Sequence, residues 1–191
     1  MVNTHPQPAA GSQQPINHLH ATELRWFAVR TRSKSEKMVQ RDLEKKGIHS
    51  YLPLQKLLRR YTRSTRWVEK PLMNCYVFVR ILKGEYVRVL ETEHVTGFVR
   101  FSKDLLSIPQ SEIDILRRIT LEDGLEVEAV TGAFTEGDWV EISAGNLMGL
   151  KGRIVQVEGK RKFQVELQHL FHSLLITVDA AFLERSTLHN F

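Results

Sequence analysis

Between residues 25 and 70, 14 Lys/Arg stand against only 4 Asp/Glu, whereas residues 122–191 hold 6 against 11. An excess of that size sets up a field that draws in phosphate. Its charges fall into two groups: Arg30, Arg32, Lys34, Lys37 and Arg41, then Arg59, Arg60, Arg63 and Arg66. Arginine pairs with phosphate bidentately and stacks on unpaired bases, so both groups are candidate nucleic-acid contacts. Catalysis finds no comparable support. Gly145-Asn146-Leu147-Met148-Gly149 has the wrong sequel for a phosphate loop, and there is no metalloprotease histidine pair. His169 and His172, three apart on an expected strand, should point to opposite faces. Cys75 sits in a strand pattern with no adjacent base and reads as a small buried hydrophobe. His5, His18 and His20 lie in a polar, proline-containing stretch without a cysteine to complete a metal site. The expectation is a binding protein with no catalytic residues, no metal and no cofactor.

The elements that must position these groups follow from periodicity. Residues 1–22 have no apolar pattern and read as a disordered tail. Leu24 to Val29, with Trp26 and Phe27, predicts a buried strand. Ser33 and Glu36 have capping-box spacing, Met38, Val39 and Leu43 make a helical stripe, and Gly47 suits the closing left-handed position. Residues 48–58 read as a strand with an edge or bulge at Pro53. Arg59 to Arg66 reads as a polar hairpin loop, and the chain returns at Trp67–Leu72. Tyr76-Val77-Phe78-Val79 is dense enough in β-formers for a central strand. A short helix at 84–91, short strands at 98–101 and 105–107, and a helix after Pro109 with Ile113, Leu116 and Ile119 on one face complete this part. Trp26, Leu72, Met73, Tyr76 and Phe78, all on or beside expected strands, form a candidate apolar docking patch.

Residues 121–134 are acidic and carry glycines, the composition of a linker. From residue 135 the apolar period becomes two: Val140/Ile142, Val155/Val157, Phe163/Val165/Leu167 and Leu174/Ile176 alternate with polar residues across glycine turns. So many strands in so short a stretch imply a small antiparallel barrel. Leu170-Phe171 and Leu174-Leu175 break the alternation, so one residue of each pair should lie outside the barrel core. The expected fold is an α+β domain, an antiparallel sheet flanked by helices (residues 23–120), followed by an all-β barrel (135–187). In composition the chain is 42% apolar and 26% charged over 191 residues, enough to bury a core. A single cysteine rules out a disulfide framework and fits a reducing compartment. No apolar run nears the roughly 20 residues of a membrane span. A soluble, cytoplasmic monomer without membrane contact is expected.

Two signatures carry a resemblance. Glu136-Gly137-Asp138-Trp139-Val140-Glu141-Ile142, then Gly145, Gly149 and Lys151-Gly152-Arg153-Ile154-Val155, resembles a KOW module, an SH3-like barrel. Trp26-Phe27-Ala28-Val29-Arg30, Ser35-Glu36-Lys37, Pro71-Leu72-Met73-Asn74-Cys75-Tyr76-Val77-Phe78-Val79 and Gly97-Phe98-Val99-Arg100-Phe101 resemble the N-terminal domain of NusG-type factors. The likeness spans residues 24–185 and leans towards the specialised RfaH and UpxY kind of paralogue. It implies a transcription elongation or antitermination factor that acts at particular operons. Trp26, Leu72, Met73, Tyr76 and Phe78 would dock on the clamp helices of RNA polymerase. The two basic groups would face upstream or non-template DNA. Leu170 and Phe171 would engage a ribosomal protein or Rho. Met73 and Asn74 stand where the family often has an aromatic-proline pair. A ribosome-associated KOW RNA-binding protein is the alternative.

Overall fold

The computed structural model describes residues 14–131, 137–157, 159–170 and 172–185. Its first sheet has the order β2-β5-β1-β6, from β1 (Arg25–Thr31), β2 (His49–Tyr51), β5 (Tyr76–Ile81) and β6 (Val95–Phe98). All its pairings are antiparallel, and β5 is central as its composition requires. Alternation gives the sheet two apolar faces. Phe27, Val29, Val77, Val79 and Ile81 pack under α1 (Glu36–Lys45) and α2 (Tyr86–Leu90) through Val39, Leu43 and Val89. Trp26, Ala28 and Phe78 lie on the other face, against Ile113, Leu116 and Ile119 of α3 (Gln110–Thr120).

Several local expectations change. Helix α1 begins at Glu36 after Ser35, with no side-chain cap, so the Ser33–Glu36 capping box does not form. The Glu36 carboxylate is buried and accepts the Cys75 backbone N–H at 2.8 Å, which fixes the turn before β5. Cys75 is that turn's left-handed residue (φ 64°) and half-buried, outside the strand. Pro53 splits the expected strand into β2 and β3 (Leu54–Tyr61), and β3 pairs with β4 (Ser64–Pro71) as a separate ribbon. Most of Arg59–Arg66, expected as a loop, is therefore paired strand, with only residues 62–63 at the tip. Leu105 and Phe101 make isolated bridges where short strands were expected. Part of the expected disordered tail is held: His18 N–H donates to Leu105 O at 2.9 Å, and the His18 ring bonds Ser107 Oγ at 3.1 Å.

The second sheet has the order β12-β8-β9-β10-β11-β7 and is antiparallel throughout. Its strands are β7 (Val127–Thr131), β8 (Trp139–Ile142), β9 (Lys151–Val157), β10 (Lys160–Leu167), β11 (His172–Ile176) and β12 (Leu183–Arg185). Strand β7 comes from the segment expected as a linker; it pairs with β11 in register Leu174↔Ala129 and so extends the barrel sheet. Gly152 sits inside β9. A Cβ there would lie 2.1 Å from Gln164 O and 2.8 Å from the Phe163 ring, so β9 and β10 cross too closely for any side chain. A 3₁₀ turn at Gln168–Leu170 separates β10 from β11. It breaks the alternation that placed His169 and His172 on opposite faces. Leu174 and Leu175 are both buried, where one had been expected outside.

Candidate docking face and nucleic-acid surfaces

The five residues of the expected apolar patch converge. Register places Ala28 opposite Phe78 and Arg30 opposite Tyr76, so Trp26, Phe78 and Tyr76 share one sheet face. Leu72 and Met73, in the turn leading into β5, belong to the same cluster. The patch is not open. Trp26, Leu72, Met73 and Phe78 are buried and Tyr76 is half-buried, because α3 and the barrel both close on this face. Trp26 Nε1 donates to Gln110 Oε1 at 2.8 Å, and Arg117 lies over the Trp26 and Tyr51 rings. The Tyr51 hydroxyl bonds Thr120 Oγ1 at 3.1 Å, and burial pushes the Tyr51 phenol up from its ordinary pKa.

The barrel's contribution centres on residues 168–176. His172 meets the Tyr76 ring edge-on at 5.3 Å between centroids. Leu170 is buried and lines one crevice with Ala28, Val99 and Ile108. Leu175, on the outer side of β11, shares a second crevice with Gln55 and Leu57 at the ribbon base. Thus both histidines and both leucines turn towards the first domain. Phe171 lies outside the described residues. Polar contacts border the apolar seam. The buried Glu112 carboxylate accepts His169 N–H at 3.1 Å and pairs with His169 Nδ1 at 2.7 Å. Arg118 donates to the carbonyls of Asn146 (3.0 Å) and Met148 (2.6 Å). Gln55 Nε2 donates to Val127 O at 3.0 Å. Sequence reading missed Glu112, Arg118 and Gln55, since each meets its partner far along the chain.

The basic residues remain outside. Arg30, Arg32, Lys34, Lys37 and Arg41 are exposed around the start of α1, and Arg59, Arg60, Arg63 and Arg66 are exposed on the ribbon. Lys37 Nζ to Glu69 at 2.8 Å joins the two groups, and this contact holds the Glu69 carboxyl below its ordinary range. Among the described residues no group of His, Cys, Asp and Glu could hold a metal ion, and no helix is long and apolar enough to cross a membrane.

Two family models match. One, described as transcription termination factor NusG, covers residues 24–117; the other, the KOW motif, covers residues 136–167. This chain is similar to NusG proteins in both of its parts. Transcription termination/antitermination NusG proteins from Streptococcus pyogenes serotypes M3 and M1 are each 26% identical over 148 residues, covering 71% of this chain and 82% of theirs. The solved structure "Domain interaction in Thermotoga maritima NusG" superposes with a TM-score of 0.51 at 20% identity, covering 85% of this chain and 97% of that one, which supports the fold. This chain therefore has the NusG N-terminal domain over β1 to α3 and a KOW domain within the second sheet. The NusG match includes the ribbon, both basic groups and the whole apolar patch, whereas the KOW match stops at Leu167, short of the turn and strand that lie against the patch.

Proposed function

We propose that this chain is an elongation or antitermination factor that binds RNA polymerase through residues 23–120, acts in the cytoplasm at specific operons as a monomer, and suppresses pausing or termination. The observation that carries the reading is the gathering of Trp26, Leu72, Met73, Tyr76 and Phe78 on one sheet face that needs a cover. An apolar face with one aromatic hydroxyl at its margin suits the tip of a helical partner, here the clamp helices. Arg30, Arg32, Lys34, Lys37 and Arg41 then face the DNA, and Arg59, Arg60, Arg63 and Arg66 add phosphate contacts, all without first having to be uncovered.

The same face holds the barrel, so polymerase and barrel exclude each other there. Docking proceeds from the fraction of molecules in which the barrel has left, and polymerase shifts the population towards that form. Departure also bares Leu170, and Leu170 with Phe171 would then meet a second partner, a ribosomal protein or Rho. Residues 121–134 join the two domains in this scheme, and β7 travels with the barrel.

Titration of the fluorescently labelled full chain with purified bacterial RNA polymerase tests this. Saturable binding is expected, with Tyr76→Ala weakening it about tenfold or more, the scale of a lost aromatic anchor. Absence of polymerase binding by the wild-type chain, alongside capture of ribosomes, would replace this reading with the ribosome-associated one.

A further inference from the structure

The two basic groups differ in a way that charge alone hides. Around α1 the exposed groups are mainly cationic, with Met38 and Glu44 among them and no exposed aromatic ring. The β3–β4 ribbon instead interleaves cations with apolar and aromatic side chains that stay in solvent: Leu58 is 56% exposed, Trp67 57% and Tyr61 54%. Register explains the arrangement. Leu58 lies directly opposite Trp67, and Arg60 lies on the same face two residues further along β3. On the reverse face Arg59 lies directly opposite Arg66, next to Tyr61.

Two features of this ribbon are costly in the isolated protein. Like charges directly opposed across strands destabilise a pair, and among the described residues no carboxylate forms an ion pair with Arg59, Arg60, Arg63 or Arg66. An indole left mostly in water forgoes its burial, although one side of Trp67 borders a crevice with Lys56, Val68 and Asp123. A ring with more than half of its surface in solvent offers a face on which a base can stack. Unpaired guanidinium groups beside it supply partners for phosphate.

We propose that the Trp67 face of the β3–β4 ribbon binds single-stranded RNA, with a base stacked on Trp67 beside Leu58 and the sugar-phosphate backbone held by Arg60 on the same face and Arg63 at the tip. Stacking demands unpaired bases, which a duplex does not offer, and an exposed aromatic ring beside a guanidinium group on one β face matches the way β platforms take splayed RNA bases. Near a transcribing polymerase both the transcript and the non-template strand offer unpaired bases, and comparison of the ribo and deoxyribo oligomers separates them. The inference rests on the reading of the ribbon arginines as nucleic-acid contacts, and it does not require polymerase.

The test uses the full chain without polymerase. Binding is measured by fluorescence anisotropy to a uridine oligomer of about 12 nucleotides, within the usual site size for such platforms, and to the deoxythymidine oligomer and the duplex of equal length. The RNA oligomer should bind tightest. Trp67→Ala should weaken it about tenfold and Trp67→Phe much less, with melting temperatures unchanged because the ring is exposed. Arg60→Glu with Arg63→Glu should weaken binding and flatten its salt dependence, and Arg59→Glu with Arg66→Glu, on the reverse face, should do so less. Wild-type RNA affinity in Trp67→Ala, or equal or tighter binding of the deoxy strand or duplex, would overturn the assignment. Polymerase titration of Trp67→Ala runs alongside: unchanged docking with lost RNA binding separates this surface from the docking face, and a failed RNA test leaves the polymerase reading standing.

Discussion

Glu112→Ala should open the molecule without touching the face that polymerase is proposed to take. The Glu112 carboxylate accepts two hydrogen bonds from His169, one from the backbone and one from the ring, and is itself buried. A hydrogen bond to a charged group is worth about 1.5–3 kcal/mol. The His169 side chain is 39% exposed, so water competes for its ring and the lower part of that range applies. At about 1.5 kcal/mol for each of the two bonds, removing the carboxylate costs the closed form about 3 kcal/mol, or a shift on the order of a hundredfold towards separated domains. In the separated form Glu112 sits at the surface of α3, so its loss should leave the fold of either domain intact. Small-angle X-ray scattering of wild type and Glu112→Ala reads the change as an increase in radius of gyration, and hydrogen exchange reads it as loss of protection on both sides of the seam. Glu112→Gln, which can still accept the backbone bond, should fall between them. An unchanged scattering profile in Glu112→Ala, with the same exchange protection around residues 169–176, would refute the reasoning, because the carboxylate would then contribute nothing to closure.

Two further outcomes follow from particular contacts. Reversing Lys34, Lys37 and Arg41 to glutamate should reduce antipausing more than polymerase docking, with a loss that is largest at low salt and narrows as salt rises; Lys37→Glu also sets a like charge against Glu69, so Lys37→Gln serves as control, and an in vitro pause assay decides. Gly152→Ala should unfold the barrel, since its Cβ would meet Gln164 O at 2.1 Å and neither strand can retreat without breaking the β9–β10 pairing; circular dichroism melts should show a lost or strongly lowered transition.

The sheet and its apolar face were legible because short-range alternation survives wherever one side of a strand is buried. Tyr76-Val77-Phe78-Val79 announced a central strand, and Ile113, Leu116 and Ile119 announced the stripe of α3 that covers it. The ribbon was under-read for the opposite reason. Both of its faces meet solvent around residues 58–67, so arginine, threonine and tyrosine occupy either side and the pattern resembles a loop. Glu36 followed a local capping pattern but found a better partner 39 positions away in the Cys75 amide, whose N–H needs an acceptor where it sits in a tight turn. The 3₁₀ turn at Gln168–Leu170 has no periodic signal of its own, and it decides where both His169 and His172 point.

Closure itself could not be read along the chain, because every contact that makes it joins distant positions: Glu112 with His169, Arg118 with Met148, Gln55 with Val127. Its consequence is quantitative. Burying the patch protects it from non-specific association, the hazard of any exposed apolar surface. It also taxes every productive encounter, since apparent affinity falls in proportion to the open fraction; a closed form favoured about a hundredfold weakens docking about a hundredfold. The basic groups escape this tax because they stay exposed while the domains are closed. Under the proposed function nucleic acid contact would come first and apolar docking second, so that local capture on DNA or transcript would raise the effective concentration at which the slower opening step is used. Specificity then resides in the sequence of events as much as in either surface: a polymerase without suitable nucleic acid beside it meets a closed protein, and one with it meets a protein already held in place while the barrel departs.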